Sequence, residues 1–442
     1  MHLQIPENAK QIIHTLHTAG YQAYVVGGCV RDALLGREAA DWDITTSALP
    51  WQVKGLFRRT LDTGLRHGTV TVMLDREGFE VTTYRIDGEY EDGRHPKEVQ
   101  FTPCLTEDLR RRDFTINAMA YNDKDGLVDV FGGQEDLRNG VIRCVGNARE
   151  RFSEDALRIL RAVRFSAQLN FQIEEETRQA MEELAGNLKK ISAERVQTEL
   201  VKLLISPHPE TLRTAYETGI TAVVLPEFDS CMEMPQQNPY HCYSVGEHTL
   251  VALTKIRADK VLRLAMLLHD IGKPLTHTID SKGTDHFYGH GPEGEKLASQ
   301  ILHRLKFDNE TIRQVRKLVL YHDERQKAPT ARWVRRAICR IGSDLFSSYL
   351  EVRRADILAQ NPIYWEENLK NLECVEKLYQ QILEEENCIS RKDLAVSGKD
   401  LIEAGVEPGK QVGVILAELL ELVIDYPEYN EKEYLLKQIK RV

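Results

Sequence analysis

Asp41-Trp42-Asp43 is the first place in the chain where side chains stand at a spacing suited to chemistry. If Trp42–Thr45 is a strand, residues i and i+2 project to one face. Two carboxylates held side by side repel unless a cation lies between them. Hard divalent cations such as Mg2+ choose carboxylate and phosphate oxygens. Two such ions about 4 Å apart can activate an attacking hydroxyl and stabilise a leaving pyrophosphate. Glu80, on a later candidate strand, is a candidate third carboxylate. Upstream, Gly27-Gly28-Cys29-Val30-Arg31-Asp32 follows a β-type run and opens a helix. Two glycines let the backbone approach a phosphate, the helix N-terminus favours anions, and Arg31 offers a cationic fork. Taken singly, a Gly-Gly pair is usually only a turn, and Asp-x-Asp usually a solvated edge. It is their succession, Gly-Gly, short helix, Asp-x-Asp, that sets a turn open to phosphate close to a candidate metal-binding carboxylate pair.

A second set of reactive side chains lies in the middle of the chain. His248 is followed by His269-Asp270 at the end of an apolar helix, then by His290, His322 and Asp356. A lone histidine is more often structural than a ligand. Imidazoles and carboxylates arriving from separate helices suit a divalent transition metal.

The elements that must position these groups follow from periodicity and turn residues. The first third reads as mixed α/β: a helix over Ala9–Ala19, a strand over Tyr21–Val26, a helix over Val30–Leu35, and strands over Trp42–Thr45, Thr69–Leu74, Phe79–Arg85 and Glu98–Phe101. From about Ser153 onward helical spacing dominates. The fold class expected is α+β, an α/β head on a helical body. Boundaries are expected near Gly140–Asn147, Pro207–Pro209 and Pro235–Pro239, giving a head (1–145), a helical neck (146–235), a body (236–365) and a tail (366–442).

The chain has 442 residues, 42% hydrophobic and 29% charged, which bounds it to a globular protein of several domains. No apolar run is long enough to span a bilayer: Val261–Leu268 is interrupted by Arg263, and Val412–Ile424 by Glu418. The start MHLQIPENAK has no basic region leading into an apolar core, so the cytoplasm is the expected location and no membrane partner is expected. Eight cysteines without a CxxC pair fit reduced thiols. The net charge of −10 argues against a nucleic-acid partner only globally. Locally, Arg110, Arg111 and Arg112 are consecutive, and Arg138, Arg143, Arg149, Arg151, Arg158, Arg161 and Arg164 follow.

Several segments in series resemble one family. GGCVRDALLG…DWDITTSA (from Gly27), RRDFTINAMAY (Arg111–Tyr121), EDALRILRAVRF (Glu154–Phe165) and ISAERVQTEL (Ile191–Leu200) are similar, in order, to the motifs of bacterial class II CCA-adding tRNA nucleotidyltransferases of the poly(A) polymerase family. The resemblance implies a polymerase-beta-like head with magnesium at Asp41 and Asp43. Gly28, Arg31 and Arg112 match nucleotide-binding positions. Asp113 is then placed to accept from a ribose hydroxyl, with Asn117 supporting the pocket. Asp155 and Arg158 match the amino-acid template that selects the base. Three residues apart on one helix they would share a face. A carboxylate accepting from an exocyclic amine beside a guanidinium donating to a ring acceptor fits cytosine and adenine, and leaves polar groups unpaired against uracil or guanine. Arg161 and Arg164 would reach phosphates. The segment Thr83–Pro96, with Arg85, Asp87, Tyr90, Asp92 and Arg94, resembles the flexible loop needed to switch from CTP to ATP.

His248, His269, Asp270 and Asp356 resemble the core ligands of HD phosphohydrolases, and His290 and His322 positions that bind a second metal in some of them. The resemblance implies a metal of unspecified identity and phosphohydrolase activity on 2′,3′-cyclic or 2′-phosphate ends. A degenerate RNA-binding scaffold is the alternative. The tail turns Ser397–Asp400 and Glu407–Lys410 resemble the family's tRNA-gripping region. The expected reaction is addition of CCA to tRNA 3′ ends from CTP and ATP with release of pyrophosphate, in tRNA processing and RNA repair; DNA is not expected as a partner. The alternatives are an A-adding or CC-adding enzyme, a poly(A) polymerase, or an HD hydrolase whose head only binds nucleotide.

Overall fold

The computed structural model describes residues 2–87, 99–385 and 390–439. They divide into two compact units, Met1–Pro226 and Glu227–Val442. No helix among the described residues is long and apolar enough to cross a membrane.

The first unit opens with α1 (Glu7–Thr18), whose Ile12 and Leu16 are fully buried. The strands of the head's sheets, among the described residues, are β1 (Ala23–Val26), β2 (Ile44–Thr46), β3 (Thr60–Gly64), β4 (Thr69–Leu74), β5 (Glu77–Thr83), β6 (Arg85–Asp87), β7 (Val99–Phe101), β8 (Met119–Asn122) and β9 (Gly126–Asp129). Seven form one sheet in the order β3-β4-β5-β2-β1-β8-β9, and β6 pairs with β7 separately. β1, Ala-Tyr-Val-Val, is buried along its whole length because neighbours flank it on both sides. The β4–β5 hairpin turns on Asp75 and Arg76, both at positive φ, which matches the twist of two-residue hairpins. Tyr90, Asp92 and Arg94 lie outside the described residues.

β1 ends at Gly27, whose φ of 85° is open to glycine at little cost, and α2 (Gly28–Leu34) starts there. The strand expected over Trp42–Thr45 begins later, at Ile44. Asp41 and Asp43 therefore stand on the approach to β2, although the Val26 amide still donates to the Asp43 carbonyl (3.0 Å). The one helix expected to carry both Asp155 and Arg158 is broken. α3 (Ala148–Glu154) stops at Asp155, which is extended (φ −140°, ψ 101°), and α4 (Leu157–Leu169) begins two residues on. The Asp155 carboxylate accepts from the Leu157 amide at 3.0 Å, a local bond that competes with continuing the helix. α5 (Ala193–Leu204) packs along α4.

The second unit is helical except for the small hairpin Thr278–Ile279/Asp285–His286. Its centre is built by α6 (Val245–Lys255), α7 (Lys260–Leu268), α8 (His290–Arg304), α9 (Asn309–Tyr321) and α10 (Phe346–Ala359). Ser244, Asp259 and Asp308 cap the starts of α6, α7 and α9 through side-chain oxygens. α11 (Trp365–Glu384) packs on α10, and farther along Leu401, Leu419, Val423 and Leu435 form a separate apolar cluster. The Ser397–Asp400 turn is a capping box: Asp400 accepts from the Ser397 amide (2.7 Å) and Ser397 from the Asp400 amide (3.5 Å).

Candidate functional site

The head site is set by strand register. β2 and β5 run parallel with Ile44 opposite Val81, so the preceding residues, Asp43 and Glu80, adjoin at the same level. All three carboxylates, Asp41, Asp43 and Glu80, reach solvent. The protein packed around the Asp43 carboxylate pushes its pKa above the ordinary value. Arg112 opposes that shift, and the charges of Glu80 and Asp41 add to it. Three acids gathered so that two of them oppose the ionisation of Asp43 form a donor set suited to a hard cation.

Arg112 lies against the turn after β1. A Cβ on Gly27 would stand 2.9 Å from Arg112 Nη1, so the glycine also makes room for this guanidinium. Asp108, fully buried and not singled out by its sequence, holds the base of the site. It pairs with Arg111 at 2.8 Å and Arg112 at 3.6 Å, and accepts from Thr45 Oγ1 at 3.0 Å, joining this segment to β2. Burial opposes its ionisation, but Arg111 and Arg112 hold its carboxyl below the usual range.

Arg31 forks onto Asp32 (2.9 Å twice) and donates to Asn117 Oδ1 (2.8 Å). Asn117 Nδ2 donates to Asp113 Oδ1 (3.2 Å), which also accepts from the Phe114 amide (2.8 Å). Asp113 Oδ2 takes two bonds from Arg161, at 2.7 Å and 2.6 Å. Both Asp113 oxygens thus accept from protein donors. Burial opposes the ionisation of Asp113, but Arg161 carries its pKa down to about 2. Arg161 is consequently spoken for, and Arg164 is buried, ion-paired with Glu199 and set 3.9 Å from the centroid of the Phe165 ring. The two arginines tie α4 to the head segment at Asp113 and to α5.

Asp155 and Arg158 do not share a helix face, because the chain breaks at Asp155. Arg195 Nη2 holds Asp155 Oδ2 at 2.7 Å. Arg158, mostly buried, pairs with Glu154 (2.6 Å) and donates to the carbonyls of Arg151 and Arg111, both at 3.0 Å. The partners Arg195, Glu199 and Asp108 were missed as site residues. Arg195 and Glu199 lie in the ISAERVQTEL segment, whose charged positions carry the only sequence signal.

In the second unit the six expected histidines and aspartates converge. Two groups of potential ligands form, His248/His269/Asp356 and Asp270/His290/His322. The nitrogens His248 Nε2 and His269 Nε2 are 3.2 Å apart, and His290 Nε2 and His322 Nε2 3.1 Å. His248 Nε2 lies 3.1 Å from Asp356 Oδ1. Asp270 spans both groups, with Oδ2 3.2 Å from His269 and Oδ1 3.4 Å from His322. All four imidazoles point Nδ1 at a backbone carbonyl: Ala359 (3.2 Å), Met266 (2.7 Å), Phe287 (2.8 Å) and Val319 (2.7 Å). A carbonyl only accepts, so the proton of each neutral ring sits on Nδ1 and Nε2 presents a lone pair. Facing lone pairs repel unless a cation lies between them. Ligand atoms each about 2.1 Å from one metal stand roughly 3 Å apart, as these do. Burial opposes the ionisation of Asp270, but His269 and Lys273 hold its carboxyl well below the usual range. Lys273 (2.7 Å from Asp270 Oδ2) and His241, edge-on to His248, were not singled out from sequence.

Comparison with known proteins places this geometry. The "Poly A polymerase head domain" family matches residues 23–143, the "Probable RNA and SrmB-binding site of polymerase A" family residues 170–232, and the "tRNA nucleotidyltransferase domain 2" family residues 293–439. A CCA-adding enzyme of Levilactobacillus brevis is 36% identical over 442 residues, covering 98% of this chain and 97% of its own. The crystal structure of the Bacillus stearothermophilus CCA-adding enzyme in complex with CTP superposes with a TM-score of 0.74 at 31% identity, covering 99% and 98% of the two chains. The Thermotoga maritima CCA-adding enzyme complexed with tRNA shares the fold at a TM-score of 0.57 and 22% identity, covering 99% and 96%. Enzymes of this kind are nucleotidyltransferases that use a divalent metal. From head to tail, this chain belongs to the family of CCA-adding tRNA nucleotidyltransferases.

Proposed function

We propose that the protein adds C, C and A to tRNA 3′ ends from CTP and ATP. The RNA 3′ oxygen bonds to the α-phosphorus of the nucleotide, the bond to the β-phosphate bridge breaks, and pyrophosphate leaves. The observation that carries this reading is the grouping of Asp41, Asp43 and Glu80 beside the Gly27–Arg112 cradle, in a chain of this family. Asp41 and Asp43 would hold Mg2+, with Glu80 as an outer carboxylate. Bound Mg2+ supplies charge stabilisation for the attacking and leaving oxygens. Gly28 and Arg31 would line the triphosphate cradle, with Arg112 directed at phosphate charge and braced by Asp108. Asp155 and Arg158 would read the base edge, held by Arg195 and Glu154. Residues 1–145 act as the head, 146–235 as the neck, 236–365 as the body and 366–442 as the tail.

Primer extension on a tRNA transcript lacking CCA, with CTP, ATP and both, tests the reading. CC from CTP alone and CCA from both, lost in Asp41→Ala/Asp43→Ala, is the expected result. A added only to a tRNA already ending in CC would make the protein an A-adding enzyme, and no incorporation would overturn the transferase reading.

A second reading is favoured by the paired Nε2 atoms of the second unit, each close to another ligand atom. We propose that this centre is an HD-type metal site and hydrolyses phosphoesters. His248, His269 and Asp356 would hold one divalent transition metal, His290 and His322 a second, with Asp270 between them. Metal content measured on the purified chain, against His269→Ala and His322→Ala, tests it.

A further inference from the structure

Asp270, His290, His322 and Asp356 of the histidine centre line a cavity of about 490 Å³. Its wall is aromatic. Tyr288 is 78% exposed and stacks on His286, with centroids 5.2 Å apart and planes 9° off parallel. A side chain of this size, so exposed on the rim of a polar cavity, offers a flat face to a ring-bearing ligand. A second cavity of about 600 Å³ shares two lining residues with the first, Tyr240 and Arg325. There Tyr240, itself 48% exposed, packs on Tyr364 with centroids 4.6 Å apart.

The two cavities differ in charge. The inner one is lined by the ligand acids. The outer one is lined by Arg325, Lys327, Arg353 and Lys370 against a single acid, Glu367. Arg353 is turned inward to Asp356, Lys370 also bonds Glu366 (2.7 Å), and Arg325, about half exposed, lies 3.6 Å from Asp323 in a solvent-facing pair that a phosphate can displace. The trough is held in place by backbone contacts. The Asn361 amide donates to the Tyr240 carbonyl at 2.9 Å, and Asn371 Nδ2 to the carbonyls of Gln326 (2.9 Å) and Lys327 (2.8 Å).

A basic track interleaved with aromatic faces is how sequence-tolerant sites hold a single strand: cations follow phosphates, and rings take successive bases. Resting on the phosphohydrolase reading of the histidine centre, we infer that the two adjoining cavities bind the end of a single-stranded RNA, with bases on Tyr240 and Tyr288, backbone along Arg325 and Lys327, and a terminal phosphoester over the histidine centre. The site therefore selects a polymer end over a free mononucleotide. In the reaction a water oxygen bonds to the terminal phosphorus, the ester bond from that phosphorus to a ribose oxygen breaks, and the water proton passes to that oxygen.

The test uses the full chain with Mn2+ or Ni2+ and three substrates: a tetraribonucleotide with a terminal 2′,3′-cyclic phosphate, the matching cyclic mononucleotide, and bis-p-nitrophenyl phosphate. In parallel, a 4-thiouridine tetranucleotide is photo-crosslinked in EDTA and mapped by mass spectrometry. The expected result is a lower KM for the tetranucleotide than for the mononucleotide. Tyr240→Ala and Tyr288→Ala each raise the tetranucleotide KM by about tenfold, Tyr→Phe restores it, and the nitrophenyl ester is unaffected. Crosslinks fall on the segments carrying Tyr240, Tyr288 and Arg325. Equal kcat/KM for tetranucleotide and mononucleotide, or a Tyr→Ala effect shared by the nitrophenyl ester, overturns the trough while leaving hydrolysis standing. If no ester is cleaved with any metal, the phosphohydrolase reading falls and the crosslinks alone decide: those three segments labelled support strand binding there, and label elsewhere overturns it.

Discussion

Arg195 Nη2 lies 2.7 Å from Asp155 Oδ2, across the gap where the chain leaves one helix and enters the next. Asp155 is extended and its other oxygen is held by the Leu157 amide. The carboxylate proposed to read the base edge is thus aimed by a residue 40 positions away in sequence. Arg195→Ala frees Asp155 to rotate. Selection against UTP and GTP should fall by about tenfold, the worth of one oriented hydrogen bond. Thermal stability should change little, and Arg195→Lys should recover only part of the selectivity because it lacks the fork. Competitive incorporation of CTP against UTP on a tRNA lacking CCA measures this. Unchanged discrimination would remove Arg195 from the template.

Gly27 carries two constraints at once, a φ of 85° and a Cβ position 2.9 Å from Arg112 Nη1. Gly27→Ala should strain the turn by about 1 kcal/mol and push the guanidinium off its site. The KM for both CTP and ATP should rise together, with no change in the CC-to-A ratio, because the triphosphate is common to the two nucleotides. Steady-state kinetics with each nucleotide separates this from a base-specific defect.

Asp113 joins the RRDFTIN segment to α4 through Arg161, and its pKa of about 2 lies below the ordinary 3.8. A carboxyl whose folded pKa is depressed stabilises the fold above its unfolded pKa, and that stability is lost as pH falls through the folded value. The full contribution, about 2 kcal/mol, is present above pH 4 and fades between roughly pH 4 and pH 2. Asp113→Asn should therefore unfold at lower urea than the parent at pH 7. The gap should narrow steadily from pH 4 to pH 3. A gap independent of pH would mean that packing, and not charge, sets the effect.

These cases show where sequence was enough and where it was not. The Asp41/Asp43 pair, the Gly-Gly turn and the six residues of the histidine centre were legible as candidates, because each rests on chemically distinctive residue types: Asp-x-Asp just before β2, Gly-Gly just after β1, and histidines and aspartates carried on or at the ends of helices. The break at Asp155 was not, since EDALRIL contains no glycine or proline and its composition favours unbroken helix. Only the side-chain bond to Leu157 and the partner Arg195 pull Asp155 out. The pairing of Arg161 and Arg164 was hidden for a related reason: their partners, Asp113 and Glu199, lie 48 and 35 residues away. Long-range pairing of that kind leaves no local pattern. Asp108 is the same problem in reverse, an acid in a polar stretch that only the fold shows to be buried.

The histidine centre gives the last prediction. Each imidazole is fixed by its Nδ1 donation to a carbonyl, and in His269, His290 and His322 that carbonyl belongs to the residue three positions back. The Nε2 atoms are therefore pre-aimed by backbone, and binding a metal requires little rearrangement. Two divalent ions per chain are expected after loading with Mn2+ or Ni2+. His322→Ala should reduce this to one and His269→Ala should weaken the other. Loading should raise the melting temperature and chelation should lower it, since a ligand that binds only the folded state stabilises it by mass action. Asp270→Asn should cost more than either histidine, because Asp270 faces both groups and also holds Lys273. Incorporation of CTP and ATP, assayed with Mg2+ on the same variants, should remain near that of the parent, because the residues proposed for nucleotide addition all lie in the first unit. Metal analysis paired with thermal melts checks the first part. Loss of nucleotide addition in a folded His322→Ala protein would show that the two chemistries are coupled.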